Sequence, residues 1–354
     1  MNNHFRLRTV PMAAAALTGA VLLASCGSSS STPAATSGTS SSAAGSSGDP
    51  IAVVIKGLDN PFFQTMESGV NVAATAGGTK VTVQAATSIT DTTGQADKLA
   101  ALANQTFSCY VVNPISGTNL VQGIAQLAAK KKTIVNIDSP VDAAAAKSAK
   151  ATIATYIGTD NIAAGKLAGQ QMVKALTSGG SVAVIGGTAG DVTSGNRVTG
   201  FQQGIDGSSV KLVQTVAADW DRQQALTQAQ TILRAQPDLR GFFVANDDMA
   251  LGVARAVSAA GKTGTVKIMS VDGIKEALTA VQAGQLTAVV AQYPFAIGQM
   301  GVEACEAADA GKTLPTSVDA PVELVTKDNA AKALATTPKP FGTYQDPFSS
   351  LVAK

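Results

Sequence analysis

The sequence predicts an α/β protein built as two similar lobes, each a parallel sheet flanked by helices, facing one another across a cleft. Three observations predict it. From Ile51 onward strand-like and helix-like runs alternate, the order expected of a parallel sheet with helical crossovers. The alternation runs through once by Ile157 and starts over at Ser181, a duplication of architecture even though letter identity between the halves is faint. Asp138 and Asp272 each close a short β-branched run, Thr133 to Ile137 in one half and Val266 to Val271 in the other. The carboxyl rim of such a sheet is where ligands bind.

Taken in order, the first lobe should contain a strand at 51–55, a helix at 61–76 entered through Asn60-Pro61, a strand at 81–85 and a helix at 92–104. A strand at 109–112, a helix at 117–131 and strands at 134–137 and 152–157 complete it. A helix at 162–176 opens the second lobe. It is followed by a strand at 181–185, a helix at 193–204, a strand at 210–216, a helix at 222–235, a strand at 241–244 and a helix at 248–260. A strand at 266–270, a helix at 275–283 and a strand at 288–291 end that series. One further helix at 294–310 and one further strand at 322–326 do not start a third domain, so the chain should cross between the lobes several times. Residues 338–347 read as an irregular tail.

The 354 residues suffice for two domains, and a hydrophobic fraction of 45% can supply a core in each. Lys and Arg total 26 against 24 Asp and Glu; setting aside Arg6 and Arg8 leaves 24 of each sign, a balance that gives no reason to expect nucleic acid. The one histidine is His4. Without another, Ser-His-Asp and Cys-His catalysis and His-ligated metal sites are not expected in the mature chain.

Residues 1–25 carry a short basic start and an apolar run, Val10 to Ala24, too short for a membrane span of about 20 residues; they read as a cleaved signal. The ending Leu23-Ala24-Ser25-Cys26 resembles the bacterial lipobox, which implies diacylglycerol on the Cys26 sulfur and an anchor at the outer face of the cytoplasmic membrane. Residues 26–49, almost entirely Ser, Gly, Ala and Thr, read as a flexible leash. Cys109, in a strand-like run, and Cys305, in a helical one, read as two buried thiols in preference to a bridge.

Asn60-Pro61-Phe62-Phe63, the run Val244-Ala245-Asn246-Asp247-Asp248-Met249-Ala250-Leu251-Gly252, and Ser270-Val271-Asp272-Gly273 together resemble the ribose-binding proteins of bacterial sugar transporters, relatives in fold of the lactose-repressor core. The resemblance covers nearly all of 51–326. It implies the type I periplasmic binding protein fold: two doubly wound parallel-sheet lobes joined by a three-strand hinge, with crossovers near Thr159, Tyr293 and Glu323. The first lobe would comprise 51–158 with 294–322, the second 159–293 with 323–354. It further implies ligand contacts at Asn60, Phe62, Phe63, Asp138, Ser139, Arg197, Trp220, Asn246, Asp272 and Gln292. Trp220 stands where the family usually has Phe, and Ser139 stands where the ribose binders have Arg.

The chemistry agrees with that set. A sugar offers hydroxyls at its edge and C–H groups on its faces. Asp138, Asp272, Asn60, Asn246, Gln292 and Arg197 supply acceptors and donors around such an edge. Phe62, Phe63 and Trp220 supply flat apolar plates, roughly 150 to 250 Å² each. These residues have structural roles open to them as well: Phe62 or Phe63 can be core, Arg197 a solvated helical charge, Asn246 the cap of the helix at 248–260, and Asp272, before Gly273, a turn or N-cap residue. Replacing a guanidinium by Ser139 removes a fork of donors and leaves space, which favours a hexose or an acyclic polyol over ribose. Gly186-Gly187-Thr188-Ala189-Gly190 lacks the Lys-Ser/Thr of a phosphate cradle and reads as a tight turn.

The expected function is that of an extracytoplasmic sugar- or polyol-binding protein of an ABC importer, a monomer that traps its ligand by hinge closure and delivers it to the membrane permease. The alternative is a sensory protein presenting the same closed lobes to a signalling receptor. An enzyme is not expected, since nothing marks Asp138 or Asp272 as the raised-pKa acid of a glycosidase; nor is any cofactor or metal. A transcription regulator is disfavoured because an export signal, and no helix-turn-helix, precedes Ile51.

Overall fold

A computed structural model describes residues 49–352. The expected signal, Cys26 and all of the leash except Asp49 lie outside the described residues.

The first sheet is built from β1 (Ile51–Ile55), β2 (Val81–Ala85), β3 (Cys109–Val112), β4 (Thr133–Ile137) and β5 (Thr155–Gly158), separated by helices α1 (Pro61–Gly77), α2 (Thr92–Leu102), α3 (Val121–Ala129) and α4 (Ala143–Ala149). Helix α5 (Asn161–Ala175) opens the second series. There β6 (Gly180–Gly186), α6 (Val192–Ile205), β7 (Val210–Ala217), α7 (Arg222–Ala235), β8 (Gly241–Val244), α8 (Asp247–Ala259), β9 (Lys267–Asp272), α9 (Lys275–Gln282) and β10 (Ala288–Gln292) succeed one another. The chain ends with α10 (Pro294–Asp309), β11 (Ser317–Asp319), β12 (Val322–Thr326), α11 (Ala330–Thr336) and α12 (Ser349–Val352).

Two six-stranded sheets result, in the orders β11-β5-β4-β3-β1-β2 and β12-β10-β9-β8-β6-β7. All pairings between these strands are parallel except β10 with β12. Each sheet draws five consecutive strands from one half and one late strand from the tail, so the chain passes between lobes at 159–160, at Tyr293 and at 320–321. The third passage comes just before β12, and Glu323 already lies within that strand of the second sheet.

Local chemistry explains the elements. Central strands are buried on both faces and carry unbroken apolar runs, as in Ile51–Ile55, each fully inaccessible; the edge strand β7 alternates buried and exposed positions. Seven helices begin at an Asp or Asn whose carboxyl or amide oxygen accepts a backbone N–H of the first turn: Asn60, Asp91, Asp142, Asp160, Asp191, Asp221 and Asn246. The two lobes use the same device where the chain re-enters. Helix α10 packs on α1 so closely that a Cβ on Gly69 would collide with the Phe295 carbonyl, and α5 packs on α6 so that one on Gly165 would collide with that of Arg197.

Several expectations change. The helix expected from 117 starts at Val121 because 115–120 forms a loop in which Asn119 Oδ1 accepts from the Ser116 amide. Helices α4, α11 and α12 and the strand β11 do not appear among the elements the sequence predicts; each is seven residues or fewer, with too little periodicity to read. Cys109 and Cys305 are not free thiols. They form a disulfide between β3 and α10, with Cα atoms 5.7 Å apart. The 196-residue separation hides it in the sequence; only the return of α10 to the first lobe brings the pair together. The tail also departs from expectation: α11 packs on α9 and β12, whereas α12 packs on α10, so residues 323–354 do not all belong to the second lobe.

Candidate functional site

A cavity of about 320 Å³ lies between the carboxyl rims of the two sheets. Loops after β1, β2, β3 and β4 bound it on one side, and loops after β6, β7, β8 and β9 on the other.

On the first-lobe side, Asn60 caps α1 with its Oδ1, 2.9 Å from the Phe62 amide, which leaves its Nδ2 for the cavity. Phe62 and Phe63 open that helix as an edge-to-face pair, ring centroids 5.2 Å apart. Asp138 comes directly after β4 in the left-handed region, φ 59°. Its backbone is held there at both ends: its N–H donates to the Ile157 carbonyl at 2.8 Å, and its carbonyl accepts from Tyr156 Oη at 2.6 Å. The carboxylate, half-buried, is thereby turned towards the cavity and touches Ser139 Oγ at 3.2 Å. Lys56, the first residue after β1, donates from Nζ to Ser139 Oγ at 2.7 Å and lies 5.4 Å from the centre of the Phe63 ring.

The second-lobe side is wired more heavily. Arg197 is 4% exposed; its Nε donates to Asn161 Oδ1 at 2.8 Å, and its Nη1 donates to the Ala245 carbonyl at 2.7 Å and to Asp272 Oδ1 at 3.2 Å. Asp272 also accepts from Gln292 Nε2 at 2.7 Å. It takes the unusual φ of 139°, and behind it the fully buried Asp247 shapes the turn by accepting the backbone N–H groups of Gly273 and Ile274 and the Ser270 hydroxyl. Trp220 sits at the end of a left-handed pair, φ 50° at Asp219 and 62° at Trp220, and its ring lies 5.8 Å from the Arg197 guanidinium. A side chain on Gly187 would collide with that indole. The glycine run after β6 therefore seats the tryptophan. Asn246 does both things open to it: its Oδ1 caps α8 through the Met249 amide at 3.0 Å, while the residue lines the cavity.

Charge in this wall is balanced tightly. Burial pushes the Asp272 carboxyl up to about 6; Arg197 pulls the other way, and Asp138 across the cavity adds to the rise. Burial also raises Asp247 well above the ordinary carboxylate range, with the neighbouring charge of Asp272 next in importance.

Nine of the ten expected contact residues, Asn60, Phe62, Phe63, Asp138, Ser139, Arg197, Trp220, Asn246 and Asp272, line this one cavity. Gln292 does not. It stands behind Asp272 and faces a second cavity, because it is the last residue of β10, one strand farther from the sheet centre. Sequence reasoning misses Lys56 and Asp247. The signal for Lys56 is its position immediately after an apolar strand, where a cation has no packing role; Asp247 is hidden inside a cluster of Asp and Asn that reads as helix capping. Among the described residues no group of three His, Cys, Asp or Glu side chains is placed to hold a metal ion, and no helix is long and apolar enough to cross a membrane. The cavity is lined by three carboxylates, Asp138, Asp191 and Asp272, two cations, two amides and three aromatic rings.

Residues 51–313 match the periplasmic binding protein domain. The chain belongs to that family. It is 38% identical over 267 residues to the D-allose-binding periplasmic protein of Escherichia coli, covering 75% of this chain and 86% of the other. It is 30% identical over 282 residues to the ribose import binding protein of Haemophilus influenzae, covering 79% and 91%. Among solved structures, an ABC transporter solute-binding protein of Actinobacillus succinogenes with bound D-allose superposes with a TM-score of 0.76 at 25% identity, covering 80% of this chain and 99% of that one. One from Mycobacterium smegmatis with bound glycerol gives 0.75 at 28%, covering 82% and 98%.

Proposed function

We propose that this sugar-binding protein of an ABC importer takes an aldohexopyranose of the D-allose kind, and that it does so as a monomer tethered outside the cytoplasmic membrane by lipid on Cys26. The observation that carries the ligand class is the pair Lys56 and Ser139. Where the ribose binders place a rigid guanidinium after the first aspartate, this cleft has a short hydroxyl and, from a different strand, a flexible ammonium. The exchange frees room beside Asp138 while keeping a positive charge there. Similarity to a D-allose-binding relative supports the same reading. These relatives are transport proteins, and the sensing alternative finds no support among them.

In this reading Asp138 and Asp272 accept from ring hydroxyls, Arg197, Asn60, Asn246 and Lys56 donate to them, and Phe62, Phe63 and Trp220 cover the faces of the ring. Ligand held by both rims stabilises the closed arrangement over the open one, and the closed shape docks on the permease. Micromolar affinity, about −8 kcal/mol, suits scavenging. Calorimetric titration with D-allose, D-ribose, other hexoses and polyols tests the ligand class: D-allose should bind most tightly, and tighter binding of ribose would overturn it. For the tether, Cys26→Ser should move the protein from membrane to soluble fractions; unchanged partitioning would refute lipidation at that residue.

A further inference from the structure

The matched family domain ends at 313, yet the chain continues well past β12 in an ordered path that touches both lobes. Helix α11 lies against α9 and β12 of the second lobe. From there the chain runs across the hinge. Phe341 stacks edge-on against Tyr293, the residue of the second crossover, with ring centroids 6.3 Å apart, and Lys332 and Lys339 flank this contact over the Phe341 and Phe295 rings at 5.6 and 5.9 Å. Gly342 passes so near Glu323 of β12 that a Cβ would collide with its carboxyl. The path ends on the first lobe. Phe348 is completely buried, Asp346 faces Glu303 of α10, and Asp346 Oδ1 caps the last turn by accepting the Phe348 and Ser349 amides at 2.9 and 3.2 Å. Helix α10 is a firm anchor, since it is bonded to β3 through Cys305 and held at Thr79 and Ser108 through Glu306 and Asp309, each at 2.6 Å.

We propose that residues 337–352 are a strap across the hinge that limits how far the two lobes open in the absence of sugar. Lobe rotation must turn the backbone at Tyr293, where Phe341 leans, while the strap's ends stay fixed to different lobes; wider opening therefore pulls the ring contact apart or drags Phe348 from its site. Beneath the strap lies the second cavity, about 190 Å³, which shares Phe62 and Asp272 with the cleft. By holding more of the free protein near the closed arrangement, the strap raises apparent affinity, because that affinity scales with the binding-competent fraction. The proposal rests on the reading of the lobes as a closing receptor, but its first readout needs no sugar.

The test compares the full chain with a form ending at Thr336 and with Phe341→Ala, which keeps both anchors. Small-angle scattering without sugar should give a larger radius of gyration for both variants, more so for the truncated one; with saturating D-allose all three should coincide. Affinity for D-allose should fall about three- to tenfold on truncation. Equal sugar-free radii for all folded variants would overturn the strap. If the truncated form fails to melt cooperatively, Phe341→Ala decides alone, a larger radius supporting the strap and an unchanged one refuting it. Failure to bind D-allose with a strap effect still visible in the sugar-free radii would count against the ligand class and leave the strap standing.

Discussion

The two walls of the cleft are built differently. In the second lobe, Arg197, Asp272, Gln292, Asn161 and Asp247 form one buried network in which nearly every acceptor already has a donor. In the first lobe, Asp138 is half-buried, its carboxylate hydrogen-bonds among the described residues only to a serine hydroxyl at 3.2 Å, and its orientation comes from its backbone bonds to the Ile157 carbonyl and the Tyr156 hydroxyl. The difference separates two tasks. The second wall satisfies its polar groups internally, whereas the first leaves Asp138, Lys56 and Ser139 with hydrogen-bonding capacity directed at the cavity.

The comparison can be broken most directly at Arg197. Arg197→Ala would leave Asp272 buried without its partner, and breaking such a pair costs about 3–5 kcal/mol. Both thermal stability and sugar affinity should fall, as scanning calorimetry and titration would show; loss of affinity at unchanged stability would mean that the second wall is not a structural network. The first lobe owes part of its integrity to the covalent tie between β3 and α10. Cys109→Ser with Cys305→Ser should lower stability by about 2–4 kcal/mol in chemical denaturation while leaving sugar affinity within twofold.

Asp138→Ala should act on binding alone. Loss of a charged hydrogen-bond partner in a closed site is worth about 1.5–3 kcal/mol, so affinity should weaken tenfold or more with little change in melting temperature. A fall in stability as large as that of Arg197→Ala would erase the distinction between the walls. The smallest effect concerns pH. Burial, and then the facing Asp346, push the Glu303 carboxyl up to about 8. A carboxyl whose folded pKa is raised binds more protons in the folded state. Its contribution is therefore fully present below the unfolded value near 4.5 and is lost as pH rises towards 8. Asp346→Asn should flatten the decline in melting temperature between pH 5 and pH 8; an identical slope would show that Asp346 does not hold the Glu303 carboxyl up.

Much of this was legible in the chain. Asn60-Pro61 announces a capped helix, Ile51–Ile55 a strand buried on both faces, and Asp138 and Asp272 the rims of two sheets, because period, capping and β-branching act over a few residues and leave local marks. The cavity-lining set was legible for the same reason: strand ends can be read, and residues just past a strand end border the crevice between the sheets. Gln292 shows the limit: the sequence places it just past a strand ending at Ala291, but it is the last residue of β10, and its distance from the cleft depends on strand order.

The sequence by itself determined the alternation of strands and helices, their caps and the residues placed at the carboxyl rims, all consequences of short-range backbone preferences. Only the tertiary structure decided that Cys109 meets Cys305, that Lys56 takes a place beside Ser139, which acid is neutralised by Arg197, and where the tail lies. Those outcomes depend on segments tens to hundreds of residues apart being packed together, and no local pattern encodes which distant surface a side chain will meet.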